Sequence, residues 1–277
     1  TNEFQYKVVN SLIFTSIPIT GYCLIQIAGI DPVAWSTKDT FATLGNINFL
    51  SAFLGMVSIC LGLYIFNRSI SLNSRVFCFI FLLINLAIIK STSSIQGILI
   101  FAAGITVATF TSLFVSRKKI FWIPFLLITI IATFFTIQGL FNKGFLARIL
   151  FQNTIIFRTD YWHAGWKMTL LKPFFGVGID SYGDWYRQVR GFISATRTDP
   201  NRTANTAHNI FLDISSGGGL PLLISYLMIL AIALIASFRY LRSINHYDSV
   251  FVAGFVAWLG YQIQSFISIN QIGVGVW

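Results

Sequence analysis

Two side chains in the second half of the chain have the chemistry of a catalytic pair. His208 follows a predicted helix N-cap at Asn205 or Thr206 and stands shortly before a long apolar run. A neutral imidazole there can act as a general base near neutral pH. Arg158 directly precedes a predicted helix N-terminus, where backbone N–H groups and the helix dipole favour an anion. Its planar guanidinium matches phosphate oxygens.

Each of these residues also has an ordinary structural interpretation. His208 could be an interfacial histidine satisfied by local hydrogen bonds, and Arg158 could extend to the lipid headgroups. Weaker candidates share the same chemistry. Further phosphate candidates are Arg148, Arg187 and Arg190, although each of them alone is more typical of headgroup or solvent contacts. The other histidines are His163, beside Trp162 on a predicted packing helix, and His246, in a short connection.

The sequence lacks the patterns of most soluble enzymes. Cys23, Cys60 and Cys78 lie in apolar stretches without the spacing of metal ligands. Asp180 and Asp184 stand four residues apart but have no third partner nearby. There is no Gly-rich phosphate loop with a Lys, no nucleophile elbow and no pair of Glu residues. These patterns predict a reaction without metal or cofactor on an anionic, lipid-borne substrate.

Composition assigns the chain to the membrane class. It has 277 residues, of which 55% are hydrophobic and 10% charged, against about 25% charged in soluble domains. The net charge of +10 does not indicate nucleic-acid binding, because apolar runs separate the charges. It indicates topology and contacts with lipid or phosphate instead. The chain begins with Thr and ends after an apolar run, so we expect it to be part of a longer protein.

Seven apolar runs approach the length of about 20 residues that a membrane-spanning helix needs. They are 8–29, 48–66, 76–90, 93–116, 120–140, 220–238 and 250–270. The basic residues of the short connections lie on one side if these spans alternate, and the positive-inside rule makes that side cytoplasmic. They are Arg68, Arg75, Arg117, Lys118, Lys119, Arg239 and Arg242. The sequence therefore predicts an all-α, polytopic transmembrane bundle with the loops 30–47 and 141–219 on the outer face.

The predicted organisation is spans one to five in residues 1–140, an outer loop in 141–219, and two spans in 220–277. The outer loop carries nine Lys or Arg residues against five Asp. Because loops this long escape the charge rule, an outward basic excess suggests an anionic partner.

Helices are also predicted inside the outer loop. Thr159 or Asp160 would cap a helix whose Trp162, Trp166 and Leu170 face the membrane surface or the bundle. Pro173 and two glycines then break the helix, and a second short helix occupies 182–190. Gly217-Gly-Gly219 and Pro221 prepare the sixth span.

The order of these motifs resembles the O-antigen ligase and O-antigen polymerase superfamily. The shared features of the outer loop are Arg158-x3-Trp162, Pro173-Phe-Phe-Gly-Val-Gly178, Ala207-His-Asn209 and Gly217-Gly-Gly-Leu-Pro221. Further similar segments are Gly29-Ile-Asp-Pro32, Trp35, Leu44-Gly-Asn-Ile-Asn-Phe49 and Gln264-Ser-Phe-Ile-Ser-Ile-Asn270. The resemblance covers most of the chain.

The resemblance implies a bacterial inner-membrane enzyme with a fold related to class C glycosyltransferases. Such enzymes take a glycan from undecaprenyl diphosphate on the periplasmic face and pass it to a hydroxyl group of a lipid or glycan. The resemblance also implies that His208 is the base and that Arg158 binds the diphosphate, with Arg148 as a second diphosphate ligand. Asn209, Arg187 and Arg190 are candidates for contact with the acceptor or the glycan.

One departure from the family concerns the span that begins at residue 91. Family members often carry an arginine there, whereas this chain has Gln96, with Lys90 as a substitute candidate for holding the diphosphate.

Two other classes of function stay open. A transporter or flippase would place polar residues and broken helices mid-membrane, and a receptor or assembly module would need no chemistry. The sequence does not choose among ligase, polymerase and protein O-oligosaccharyltransferase.

Overall fold

The structure is a computed structural model that describes residues 2–116, 119–197 and 203–275. All regular elements within these ranges are helical, which confirms the predicted fold class. The helices are α1 (Asn2–Ile27), α2 (Ile47–Phe66), α3 (Leu72–Ser91), α4 (Gln96–Val115), α5 (Lys119–Leu140), α6 (Ala147–Leu150), α7 (Thr154–Leu171), α8 (Tyr182–Val189), α9 (Phe192–Arg197), α10 (Ile210–Ser243), α11 (Ser249–Ser265) and α12 (Ile272–Gly275). Arg117 and Lys118, two of the predicted cytoplasmic charges, lie outside the described residues.

Six of the described helices are long and apolar enough to cross a membrane, namely α1 to α5 and α10. They correspond to the first six predicted spans, and the chain is a polytopic helical membrane protein. The seventh predicted span, 250–270, forms α11, which has 17 residues. At about 1.5 Å per residue α11 is roughly 25 Å long, less than the hydrocarbon core of about 30 Å. The division of the chain at residues 140 and 219 stays a prediction.

The chain forms two compact units, and the first contains α1 to α4, α11, α12 and the start of α5. Its centre is α2, which is buried along most of its length and packs against α1, α3 and α4. Small residues let α2 and α4 approach closely: a Cβ on Gly55 would lie 2.7 Å from the Gly97 carbonyl oxygen. The Gly97 N–H donates to the Ser51 hydroxyl at 2.9 Å. Close packing of small residues is a usual source of helix association within membranes.

The second unit comprises residues 127–242 and 265–270, and its α7 differs from the predicted helix. α7 begins at Thr154 rather than after Thr159 or Asp160, so the predicted cap is wrong. Ile155 is buried and extends the apolar face of α7 by one turn towards the N-terminus. The Thr159 hydroxyl donates to the Ile156 carbonyl oxygen at 2.7 Å within the helix instead of capping it.

The faces of α7 and α8 explain how the second unit packs. α7 buries Ala164, Gly165 and Met168, while Trp166 and Leu170 of the predicted apolar stripe are exposed. The predicted second helix is confirmed as α8, and it buries Tyr182 and Tyr186 against this face of α7. Contact of the stripe with the membrane surface or the bundle stays a prediction.

α10 is interrupted at Gly219, where φ is 81° and ψ is 176°. Pro221 then stands in the first turn of the following segment, as predicted for the sixth span. An unbroken helix would use the carbonyl groups of Ser216 and Gly217 as acceptors for residues 220 and 221. Pro221 has no N–H, and the Leu220 N–H donates to the Pro173 carbonyl oxygen at 2.7 Å instead.

N–H groups of the turn after α7 donate to the two carbonyl oxygens that the interruption of α10 leaves without a helical partner. The Val177 N–H donates to the Ser216 carbonyl oxygen at 2.7 Å, and the Gly178 N–H donates to that of Gly217 at 3.1 Å. The Pro173–Gly178 motif is therefore bound backbone to backbone to the break in α10. Such pairing is how an interrupted helix meets its hydrogen-bonding needs near a membrane.

Candidate active site

The turn that carries His208 is fixed by Asn209 at the start of α10. The Asn209 Oδ1 accepts from the Leu212 N–H at 3.1 Å, so Asn209 is the N-cap and the predicted cap at Asn205 or Thr206 is wrong. Its Nδ2 donates to the Phe266 carbonyl oxygen at 3.1 Å. Structural hydrogen bonds therefore engage both ends of the Asn209 amide. Its contact with a glycan stays a prediction.

His208 itself has an unusual backbone conformation. Its φ is 52°, in the left-handed region that residues other than glycine seldom adopt. The His208 N–H faces the Thr206 hydroxyl, which accepts at 3.4 Å. Strained backbone of this kind often occurs at functional sites, where surrounding contacts hold it in place.

Asp213, in the first part of α10, holds the His208 turn by a hydrogen bond. Its Oδ1 accepts from the Ala207 N–H at 2.6 Å, and Ala207 is fully buried. The Asp213 N–H donates to the Asn209 carbonyl oxygen at 2.8 Å, as an ordinary helical bond. Sequence reasoning did not identify Asp213 as part of the site. The available signal was an acidic residue in the first turn of the helix that follows His208.

Three tyrosines hold the surface on which the His208 imidazole stacks. The His208 ring stacks on Tyr161 of α7, with centroids 5.6 Å apart and planes 27° apart. The Tyr182 hydroxyl donates to the Tyr161 carbonyl oxygen at 2.6 Å. Tyr186 meets Tyr161 edge to face at 5.7 Å. These aromatic contacts join α7, α8 and the His208 turn, and none of the three tyrosines was predicted to belong to the site.

Gly165 allows α7 to come close to the His208 turn. A Cβ on Gly165 would lie 3.3 Å from the Ala207 Cβ and 3.4 Å from Cε2 of Tyr182. One turn further along α7, the hydroxyl groups of Thr169 and Ser215 are 2.9 Å apart. α7 therefore contacts the chain just before His208, at Ala207, and the first part of α10, at Ser215.

Electrostatics connects the two sequence-predicted site residues. Burial lowers the pKa of His208, and the nearby charge of Arg158 lowers it further. Burial also lowers the pKa of Arg158, but a guanidinium stays protonated at neutral pH. The site therefore pairs a neutral imidazole with a half-buried cation.

The structural setting predicted for Arg158 is wrong. Because α7 begins at Thr154, Arg158 lies in its second turn and not ahead of its N-terminus. At the start of α7, the N–H groups of Ile155 and Ile156 already donate to the carbonyl oxygens of Gln152 and Asn153, at 2.9 and 3.1 Å. What the structure offers to an anion there is the guanidinium itself, partly removed from water.

The remaining candidates lie in different surroundings. The Arg190 guanidinium carbon lies 5.9 Å from the centre of the Tyr186 ring, and Arg190 lines a small pocket with Asp160, Tyr161 and Ser194. Arg187 is exposed in the last turn of α8, and Arg148 is exposed on α6. Their roles stay predictions.

Two residues that were predicted to bear on a donor site lie in the first unit. Lys90 is exposed in the last turn of α3. Gln96, where the resemblance implies an arginine, is buried at the start of α4. Their roles at a donor site also stay predictions. Over residues 2–116, 119–197 and 203–275, no three His, Cys, Asp or Glu side chains are grouped as metal ligands would be.

Comparison with protein families gives a match over the middle part of the chain. The family described as O-antigen ligase matches residues 77–227, which is more than half of the chain. The matched range includes α4, α5, the whole segment from α6 to His208 and the break in α10. A search of curated proteins found no match.

Proposed function

This chain belongs to the O-antigen ligase family, and from that premise we propose that it transfers a glycan from undecaprenyl diphosphate to an acceptor hydroxyl. We place the reaction at the periplasmic face of a bacterial inner membrane. The family supports glycan transfer of the ligase or polymerase type in general. The proposal adds the donor, the face of the membrane and the residues that act.

The observation that carries the proposal is the placement of Arg158 and His208 in one half-buried site. Arg158 lies on α7 about one turn before Tyr161, on whose ring His208 stacks, and its charge lowers the pKa of His208. A base and a phosphate-binding cation are the two groups that this transfer needs. Their positions differ by fifty residues in sequence, and α7 and the His208 turn bring them together.

In the proposed reaction, His208 accepts the proton of the acceptor hydroxyl as its oxygen attacks the anomeric carbon. The bond between that carbon and the diphosphate oxygen breaks, and the diphosphate leaves with the electron pair. Arg158 stabilises the negative charge that gathers on the leaving group. The lowered pKa of His208 keeps its imidazole neutral and able to accept a proton at pH 7. A single displacement inverts the configuration at the anomeric carbon.

The test uses the purified chain in lipid nanodiscs with an undecaprenyl-diphosphate-linked glycan and a glycan acceptor. Mass spectrometry of the product measures transfer. Loss of a general base costs about 10²- to 10⁴-fold in rate, and we expect His208→Ala to lose that much. His163→Ala is the matched control, because His163 is exposed on α7. Equal activity of His208→Ala and wild type would remove His208 as the base.

The role of Arg158 has its own test. We expect Arg158→Ala to weaken binding of the lipid-linked donor, while Arg68→Ala, at an exposed position in a short connection, leaves it unchanged. Unchanged donor affinity in Arg158→Ala would contradict the diphosphate role. Translocation of the lipid-linked glycan without any transfer product would instead favour the flippase alternative.

A further inference from the structure

The connection between α1 and α2 forms an open cavity that the proposed reaction does not use. Its volume is about 820 Å³, which falls within the range of small-molecule sites, about 300–1,000 Å³. The cavity belongs entirely to the first unit. It is lined by Tyr22, Trp35, Ser36, Thr37, Asp39, Phe41, Ala42, Thr43, Gly45, Asn46, Ile47 and Asn48.

An aspartate beside the cavity holds an exposed tryptophan in one orientation. The Trp35 Nε1 donates to the Asp31 Oδ2 at 3.0 Å. The same carboxylate accepts from the Tyr22 hydroxyl at 3.0 Å, the Gln26 Nε2 at 3.0 Å and the Val33 N–H at 2.9 Å. Four donors on one carboxylate fix the loop around it, and with it the edge of the indole.

The other side of the tryptophan is also supported. Phe41 meets the Trp35 ring edge to face, with centroids 5.0 Å apart and planes at 81°. The Gln26 Oε1 holds the backbone there by accepting from the Phe41 N–H at 3.1 Å and the Ala42 N–H at 2.8 Å. Trp35 is nevertheless 47% exposed. A large aromatic ring is therefore held in place before any ligand arrives, which reduces the entropic cost of binding.

Polar groups surround the held ring. The exposed Asp39 carboxylate accepts from the Thr37 hydroxyl at 2.7 Å. The Asn48 Oδ1 accepts from the Ser94 hydroxyl at 2.8 Å, which fixes the side chain. Asn46 is exposed at the start of α2. Carboxylate, amide and hydroxyl groups thus line one cavity together with an aromatic face.

This combination matches a sugar ring, which has an apolar C–H face and a rim of hydroxyl groups. The residues that line the cavity include no Lys or Arg, so the cavity lacks the cations that a diphosphate needs. We infer that the cavity between α1 and α2 binds a pyranose residue, with Trp35 under its apolar face and Asp39, Asn46 and Asn48 at its hydroxyl groups. The inference rests on the proposed function for the source of that sugar, which is the donor glycan or the acceptor glycan.

The test is binding of the full chain in lipid nanodiscs to a printed array of microbial oligosaccharides, followed by titration with the strongest soluble ligand. We expect Trp35→Ala to weaken binding at least tenfold, Asp39→Asn to weaken it several-fold, and Trp35→Phe to retain most of it. Trp166→Ala is the matched control, because Trp166 lies on α7, outside the cavity, and is 49% exposed, close to the value for Trp35. Asp39→Asn keeps the test valid if Trp35→Ala fails to fold.

Two results would overturn the inference: no oligosaccharide bound by the wild type, or equal binding by the wild type, Trp35→Ala and Asp39→Asn. His208→Ala separates it from the proposed function, since we expect that variant to bind oligosaccharide normally without transfer. Trp35-dependent binding by a wild-type protein that shows no transferase activity would support the sugar site and contradict the proposed function. Whether Asp39→Asn raises the KM for the donor or the KM for the acceptor identifies the source of the sugar.

Discussion

Replacing Gly176 by alanine tests the backbone pairing between the turn after α7 and the break in α10. Gly176 has a φ of +67°, and a Cβ there would lie 2.5 Å from the Ser216 carbonyl oxygen and would also collide with the Gly217 carbonyl group. The obstacle is backbone, so no side chain can move aside. Separating the two segments would break the hydrogen bonds that the N–H groups of Val177 and Gly178 donate.

The magnitude follows from these two effects. A left-handed conformation costs an alanine about 1–2 kcal/mol, and each lost hydrogen bond costs about 0.5–1.5 kcal/mol. We therefore expect Gly176→Ala to lower the free energy of unfolding by about 2–5 kcal/mol. In a protein of this size about 1 kcal/mol shifts the unfolding temperature by roughly 2–4 °C, so the expected fall is on the order of 10 °C.

Two further glycines separate conformational strain from the close approach. Gly29 has a φ of +70°, and a Cβ added there would have nothing within 4 Å, so Gly29→Ala should show the conformational cost alone. Gly191 has neither constraint, and Gly191→Ala should be close to wild type. The assay is thermal unfolding in nanodiscs followed by intrinsic fluorescence. Equal unfolding temperatures for Gly176→Ala and Gly191→Ala would refute the pairing argument.

Three other predictions concern the site. Because burial and Arg158 lower the pKa of His208, transfer by the wild type should be constant above pH 7 and fall only below the usual histidine pKa of about 6.5. Without the charge of Arg158 the pKa of His208 rises, so the residual activity of Arg158→Gln should begin to fall at a higher pH. The same pH profile in both proteins would contradict the coupling. Asp213→Ala leaves the buried Ala207 N–H without its acceptor, so it should lose about 1–3 kcal/mol of stability in thermal unfolding, whereas the exposed Asp184→Ala should not. Tyr161→Phe keeps the stack under His208 and should retain kcat, while Tyr161→Ala should lower kcat more than it changes the donor KM; equal kcat values for both would remove Tyr161 as a positioning residue.

The sequence was sufficient for the fold class and for the identity of six spans, because long apolar runs and the basic residues between them are local properties. It also located the glycine break before the sixth span. It did not predict that Gly176 and Gly178 let the turn after α7 form hydrogen bonds with the break in α10 at Gly219. Those hydrogen bonds join backbone groups of two distant segments, and residue types alone do not predict such pairing.

The candidate site was predicted unevenly for a similar reason. His208 and Arg158 were identified from their chemistry, but the helix starts assigned to both were wrong. At α7 the buried Ile155 extended the helix beyond the polar residues that looked like caps. Tyr161, Tyr182 and Asp213 were missed because each acts through a contact made in the folded chain and carries no pattern of its own.

Joint action of Arg158 and His208 on one lipid-linked donor is the central claim about this protein. A double-mutant cycle of Arg158→Ala and His208→Ala, measured by single-turnover transfer of the glycan in nanodiscs, tests it most directly. We expect the double variant to be about as slow as the slower single variant, since residues that act as a unit are not additive. Rate losses that multiply in the double variant, or full activity in either single variant, would contradict the claim.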